Sequence, residues 1–105
     1  MQIKSITDHV GTRDEKPFKS TLFSSKNILL GTNCLQPGQQ QAVHTHSGQD
    51  KFYAVQSGRG LFTIGDEQLA GKAGDVIWAA ADVPHGVTND GEELLVLLIG
   101  ITPWR

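Results

Sequence analysis

The sequence is poor in cysteine and in aromatic residues: it has one cysteine, one tyrosine and one methionine, and aromatics make up 7% of its 105 residues. A single cysteine excludes a disulfide within the chain, and a free thiol is typical of a reducing compartment. We expect Cys34 to pack as a small buried side chain rather than to act as a nucleophile. The cysteine count therefore favours a cytoplasmic protein.

Long apolar runs and basic runs are also missing. The longest apolar run, residues 94–99, is far shorter than the roughly 20 residues that a membrane-spanning helix needs. The N-terminal residues Met1 to Lys4 lead into polar sequence, so we expect no secretory signal. No two Lys or Arg residues are adjacent, and the formal net charge is -2. These features argue against nucleic-acid and membrane partners and leave a small molecule as the expected ligand.

Glycine, in contrast, is frequent, at 12 positions, and it separates short segments rich in strand-forming residues. Turn signals recur about every 8–12 residues, which is typical of an antiparallel β-sandwich or barrel. We therefore predict an all-β fold in a single domain over residues 1–105, with a core barrel over about 26–102 and an N-terminal arm over 1–25. Residues 51–55 and 60–64 are predicted to pair as a hairpin, and Asp8 to Lys19 to form a polar loop.

Three of the four histidines lie at strand-like positions, two of them between Gly38 and the next turn and the third at His85. Because strand side chains alternate between faces, His44 and His46 point the same way, with their Cα atoms about 6–7 Å apart. Two imidazoles on one face, joined by a third from elsewhere, form a common ligand set for a transition metal. The pattern predicts one divalent ion, Fe, Mn, Ni or Zn, at these three histidines. The alternative is a metal-free site at which they bind a polar ligand through hydrogen bonds.

Three aromatic side chains are candidates for lining a pocket beside the histidines. Tyr53 and Phe62 lie in the two strand segments that flank Gly58, and Trp78 lies in a later one. Packing in the core is an equally good explanation for each of them, because aromatic rings bury a large apolar area. The sequence therefore leaves two roles open for Tyr53, Phe62 and Trp78.

The spacing of the glycines and histidines resembles that of the cupin superfamily, in particular of its small single-domain members. The first cupin motif is Gly, five residues, His-x-His, three or four residues, Glu, six residues, Gly, and it is matched at Gly38, His44, His46 and Gly58. The second is Gly, five residues, Pro-x-Gly, two residues, His, three residues, Asn, and it is matched at Gly74, His85 and Asn89. The resemblance implies a cupin-type double-stranded β-helix, or jelly roll, whose histidines hold a metal ion.

The sequence departs from the cupin pattern at the usual glutamate ligand. Counting seven residues back from Gly58 places Lys51 at that position, with Asp50 just before it. An ammonium group is repelled by a divalent ion and cannot ligate it while protonated. We expect Lys51 to share the inward face of Tyr53 but to turn away from the metal. The expected site then has three histidines and water, with Gln49 or Asp50 as an occasional fourth contact.

Two functions are predicted for such a site. The first is a metal-dependent oxygenase, isomerase or lyase that acts on a small polar molecule, with the three-histidine cupin dioxygenases as the nearest analogy. Lys51 is then the candidate catalytic proton shuttle, because burial near a metal lowers the pKa of an amine. The alternative is a non-catalytic ligand-binding or sensing cupin with an idle or absent metal. A homodimer is expected in both cases, because a second copy covers the strand edges that a small barrel leaves open.

Overall fold

The computed structural model of the protein describes residues 2–104, and strands account for nearly all of its regular structure. A short 3-10 helix, Ile6–His9, precedes the strands, which are β1 (Phe18–Ser24), β2 (Leu29–Leu35), β3 (Gln40–His44), β4 (Asp50–Ser57), β5 (Arg59–Ile64), β6 (Glu67–Lys72), β7 (Val76–Ala79), β8 (His85–Thr88) and β9 (Leu95–Thr102). All of the strand pairs are antiparallel. The predicted all-β fold is confirmed.

The strands form two sheets, one of five strands in the order β1-β2-β9-β4-β7 and one of four in the order β3-β8-β5-β6. Alternation along the strands directs apolar side chains between the sheets, as in β4, where Tyr53 and Val55 are buried while Ala54 faces outward. The core consists of apolar residues from both sheets: Leu35, Tyr53, Val55, Phe62, Ile77, Ala79, Val87, Leu95, Leu97, Ile99 and Ile101. Cys34 is fully buried in β2, as expected.

The predicted hairpin between residues 51–55 and 60–64 is wrong. Strand β4 pairs with β7 and β9, whereas β5 pairs with β6 and β8 in the other sheet. The chain therefore crosses from one sheet to the other at Gly58, which has a φ of +79°. A glycine turn between two apolar segments permits both a hairpin and a sheet crossing. In this chain, the pairing of β4 with the distant, buried β9 selects the sheet crossing.

We expect Gly58→Ala to lower the free energy of unfolding by about 2–4 kcal/mol, because it combines backbone strain with a clash. A Cβ atom at this position would lie 2.5 Å from the carbonyl oxygen of Leu94. The matched control is Gly38→Ala, since Gly38 has a φ of +85° but open space around its Cβ position. The control should lose only about 1–2 kcal/mol for the left-handed backbone. Urea denaturation measures both, and equal losses would mean that the close approach to Leu94 is unimportant.

The N-terminal arm is part of the sheet. Strand β1 pairs with β2, and the loop predicted over Asp8 to Lys19 is interrupted by the end of the 3-10 helix and by the start of β1. The irregular stretch 10–17 is held in place by the side-chain amides of Gln36 and Gln39, which donate hydrogen bonds of 2.9 and 2.7 Å to the carbonyl oxygen of Arg13. Within residues 2–104, no helix is long and apolar enough to cross a membrane.

Candidate metal centre

Strand pairing brings two of the three candidate histidines together. Strand β3 ends at His44 and β8 begins at His85, and the two residues are direct partners in the antiparallel ladder. The register of this ladder shifts between Gln41 and His44, and His46 lies in the loop just after β3. Convergence of the three side chains therefore depends on the β3–β8 pairing and on the path of the loop that carries His46.

The three imidazoles form a tight group. The ring centroid of His44 lies 4.6 Å from that of His46 and 4.6 Å from that of His85, and the remaining pair is 5.0 Å apart. One ring nitrogen from each residue lies within 4.8 Å of the other two. Burial increases across the group, because His44 is exposed, His46 is half-buried and His85 is buried. The group thus has one side open to the cavity and one side against the core.

Backbone carbonyls orient two of the rings. The Nδ1 atom of His44 lies 2.8 Å from the carbonyl oxygen of Ala42, and that of His85 lies 3.0 Å from the carbonyl oxygen of Val83. Each contact assigns the ring proton to Nδ1 and leaves the lone pair on Nε2, which is the arrangement that metal-ligating histidines use. The Nε2 atom of His85 is buried and has no hydrogen-bond partner among residues 2–104. Such an unpartnered lone pair is what a metal ion would satisfy.

The spacing of the ring nitrogens also fits a shared ion. The Nε2 atoms of His44 and His46 are 2.9 Å apart. Two imidazole ligands at about 2.0–2.1 Å from one ion, with angles between octahedral and tetrahedral values, have nitrogens about 2.9–3.4 Å apart. The spacing of this pair therefore fits a divalent transition metal, and the donor chemistry of all three histidines fits it as well.

The protonation states favour ligation. Burial, followed by the nearby charges of His44 and Lys51, lowers the pKa of His46 to about 4. Burial also lowers the pKa of His85, although the hydrogen bond with the carbonyl of Val83 acts in the opposite direction. Both imidazoles are therefore neutral near pH 7, and a neutral imidazole is the form that binds a metal.

Lys51 faces inward, as its strand position predicts. Its side chain is 4% exposed, and its Nζ atom lies over the ring of Tyr53, 4.7 Å from the centroid. Burial first, and the charge of Lys19 second, lower the pKa of Lys51 to about 8. The amine is therefore easier to deprotonate than an exposed lysine. Its role as a catalytic proton shuttle stays a prediction.

The two residues suggested as a fourth ligand have other contacts. The Oδ1 atom of Asp50 accepts a hydrogen bond of 2.8 Å from the backbone N–H of Ala81, and Asp50 is not among the residues that line the cavity beside the histidines. Gln49 does line that cavity, and its side-chain NH2 donates a hydrogen bond of 2.8 Å to the carbonyl oxygen of Pro103. The Gln49 amide oxygen is thus the better placed of the two, and a fourth protein ligand stays a prediction.

The three aromatic candidates do not line the cavity. Tyr53 and Phe62 are fully buried core residues with ring centroids 5.1 Å apart, and the ring of Tyr53 lies 6.3 Å from that of His85. Trp78 is 56% exposed, because in β7 the buried residues are Ile77 and Ala79. The pocket role is therefore corrected for all three, because Trp78 faces away from the core and because Tyr53 and Phe62 are part of the core itself.

A cavity of about 810 Å³ lies beside the histidines. Its walls come from β1 to β4, from β9 and from the segment before β1, and they include Arg13, Lys16, Lys19, Lys51 and Trp104. The first three of these were not predicted from the sequence, because their segment was expected to form a polar loop. Their contribution depends on the β1–β2 pairing and on the hydrogen bonds to Arg13, for which the local sequence carries no signal.

Comparison with known proteins establishes the family. Residues 31–101 match the family described as "Cupin domain", and the chain belongs to the cupin family. A protein of Thermus thermophilus with a known crystal structure is 33% identical and superposes with a TM-score of 0.96 over 100% of both chains. The resemblance noted in the glycine and histidine spacing is thereby confirmed, as is the double-stranded β-helix fold.

Two curated relatives are similar over part of their length. An oxalate-binding protein of Thermotoga maritima is 31% identical over 78 residues, which are 71% of this chain and 64% of that protein. An uncharacterized protein of Methanocaldococcus jannaschii is 33% identical over 61 residues, which are 58% of this chain and 49% of that protein. The chain thus spans about half of one relative and just under two thirds of the other.

Proposed function

We propose that this cupin binds one divalent transition metal ion at His44, His46 and His85 and presents it to a small polar molecule in the adjacent cavity. The observation that carries the proposal is the buried, unpartnered Nε2 of His85, grouped with the nitrogens of two further histidines. A bound ion would act as a Lewis acid toward an oxygen atom of the small molecule. The Thermotoga relative's name makes oxalate one candidate for that molecule.

The chain's own residues support this function in three ways. The carbonyl oxygens of Ala42 and Val83 fix the tautomers of their histidine partners, so the ring lone pairs point together before any ion arrives. The buried Tyr53 lies beside His85, with ring centroids 6.3 Å apart, and forms part of the inner side of the group. The amine of Lys51, with its lowered pKa, is the available group for holding or moving a proton.

Metal analysis tests the proposal. Protein purified without a histidine tag should contain a transition metal, or should take up about one equivalent of Zn, Mn, Ni or Fe at pH 7. Content below about one-tenth of an equivalent, with no uptake of any of the four, would rule out the site. Oxygen-uptake and product assays with oxalate, thiols, diketones and sugars then distinguish an enzyme from a binding protein.

A non-catalytic ligand-binding or sensing cupin is the second candidate. It is favoured by the absence of any Asp or Glu from the residues described as lining the cavity, because carboxylates are the commonest acid–base partners after histidine. Among the lining residues described, Lys51 is then the leading candidate for proton transfer because its pKa is lowered to about 8. Metal uptake and ligand binding with no turnover of the panel would support this candidate. The homodimer and the cytoplasmic location also stay predictions.

A further inference from the structure

The charges around the cavity are all of one sign. Four of the nine Lys and Arg residues of the sequence line it, namely Arg13, Lys16, Lys19 and Lys51. None of the 11 acidic residues is among the lining residues described. A concave wall with a single sign of charge concentrates counter-ions from solution. A divalent metal ion on the three histidines would add to the positive charge.

The buried lysine has no counter-charge from the protein. Lys51 is 4% exposed, yet within residues 2–104 the ion pairs are Arg59–Asp90 and Lys72–Asp75. Its ammonium contacts the face of the Tyr53 ring. Burial of an unpaired charge costs much more than burial of a paired one. An anion in the cavity would supply the missing partner.

The other three cations come from one segment, which is fixed in position. Lys19 lies in β1, and Arg13 and Lys16 precede that strand. Two glutamine amides donate hydrogen bonds to the Arg13 carbonyl, so this part of the cavity wall is tied to the turn between β2 and β3. None of the three forms an ion pair with a described residue. Their side chains therefore remain available to a ligand.

We propose that the cavity selects a low-molecular-weight organic anion with at least two negative charges. One anionic group pairs with Lys51 beside the histidines, and the other pairs with Arg13, Lys16 and Lys19. Guanidinium and ammonium groups bind carboxylates and phosphates through the same charge-assisted hydrogen bonds. The volume of about 810 Å³ falls in the range of sites for whole organic ligands. This inference rests on the proposed function, because it names the ligand class for the same cavity.

Calorimetric titration of the metal-free protein tests the inference. The probes are succinate, tricarballylate and glucose 6-phosphate, with acetate as the single-charge control and glucose as the neutral control. At least one of the multiply charged probes should bind about tenfold or more tightly than acetate, and its affinity should fall as NaCl is added. Tighter binding of tricarballylate than of glucose 6-phosphate would identify carboxylates as the ligand groups, and the reverse order would identify phosphates.

Variants locate the binding groups. Lys51→Met, and separately the double variant Arg13→Gln with Lys19→Gln, should each weaken binding by about tenfold or more. Lys26→Gln is the matched control, because Lys26 is exposed and lies outside the cavity wall, and it should bind within about twofold of the parent. Circular dichroism verifies that every variant is folded. Unchanged affinity in the double variant would overturn the two-ended arrangement.

A parallel zinc titration separates this inference from the proposed function. Zinc uptake with no preference for multiply charged probes, in both metal-free and zinc-loaded protein, would overturn the inference and leave the metal centre standing. Binding of those probes by protein that takes up no metal would support the inference and overturn the metal centre.

Discussion

His44→Ala should lower the affinity for Zn²⁺ by about 100-fold or more. Loss of a residue that only orients a ligand already costs about 10–100-fold in metal affinity, so loss of a ligand should cost at least as much. His44 suits this test because it is exposed at the end of an edge strand. Its removal should therefore leave the fold nearly as stable as that of the parent. Competition with a chromophoric chelator at pH 7 measures the affinity.

Thermal denaturation gives a second measurement of the same loss. A site that is saturated at about 100 times its Kd stabilises the native state by about 2.7 kcal/mol. Zinc should therefore raise the Tm of the parent and leave that of His44→Ala unchanged. The matched control is His9→Ala, since His9 is not a member of the three-histidine group. Equal zinc affinity in parent and His44→Ala would show that the histidines do not hold the ion together.

Lys51→Met should make the metal-free protein more stable at pH 7. Lowering the lysine pKa from 10.5 to about 8 corresponds to about 3 kcal/mol of unfavourable burial. Methionine has a similar shape and no charge, and such replacements of buried charges are often stabilising. The lost contact with the Tyr53 ring offsets part of the gain, which leaves about 1–3 kcal/mol. Urea denaturation in the presence of a chelator measures the difference.

The stability gain of Lys51→Met over the parent should decrease as the pH rises from 8 to 10.5. The folded-state pKa of Lys51 lies below the unfolded value, so the unfolded chain holds more protons between pH 8 and 10.5. The penalty is complete below pH 8, and the stability of the parent rises with pH through this window. The gap between parent and Lys51→Met should therefore narrow from pH 8 to 10.5. The control is Lys26→Met at an exposed site. A gap that stays constant with pH would contradict a charge-based cause.

The three-histidine group could be predicted from the sequence because the patterns that indicate it extend over only a few residues each. Predicted alternation placed His44 and His46 on one face, although His46 lies in the loop just after β3, and the glycine turns indicated the strand that delivers His85. The inward position of Lys51 followed from the same alternation and is confirmed by its burial. These features depend on periodicity and on short turns, both of which are visible within a few residues.

The features that the sequence did not predict depend on long-range pairing. The hairpin across Gly58 was wrong because the partner of β4 is β9, about forty residues away. The group of Arg13, Lys16 and Lys19 at the cavity was not predicted, because the position of Arg13 depends on hydrogen bonds from Gln36 and Gln39. Trp78 was expected to line the pocket or to pack in the core, although the alternation in β7 turns it outward. In each case, sheet geometry or a distant contact determines where the side chain points.

The edge position of β3 has a consequence for the order in which the site becomes rigid. This strand is the least buried of those that carry candidate ligands, and it pairs with β8 alone. Edge strands with few buried contacts open most readily in native-state fluctuations. An ion bound by both His44 and His85 would link this edge strand to the buried strand β8. Metal binding should thus reduce the local opening of the edge strand β3.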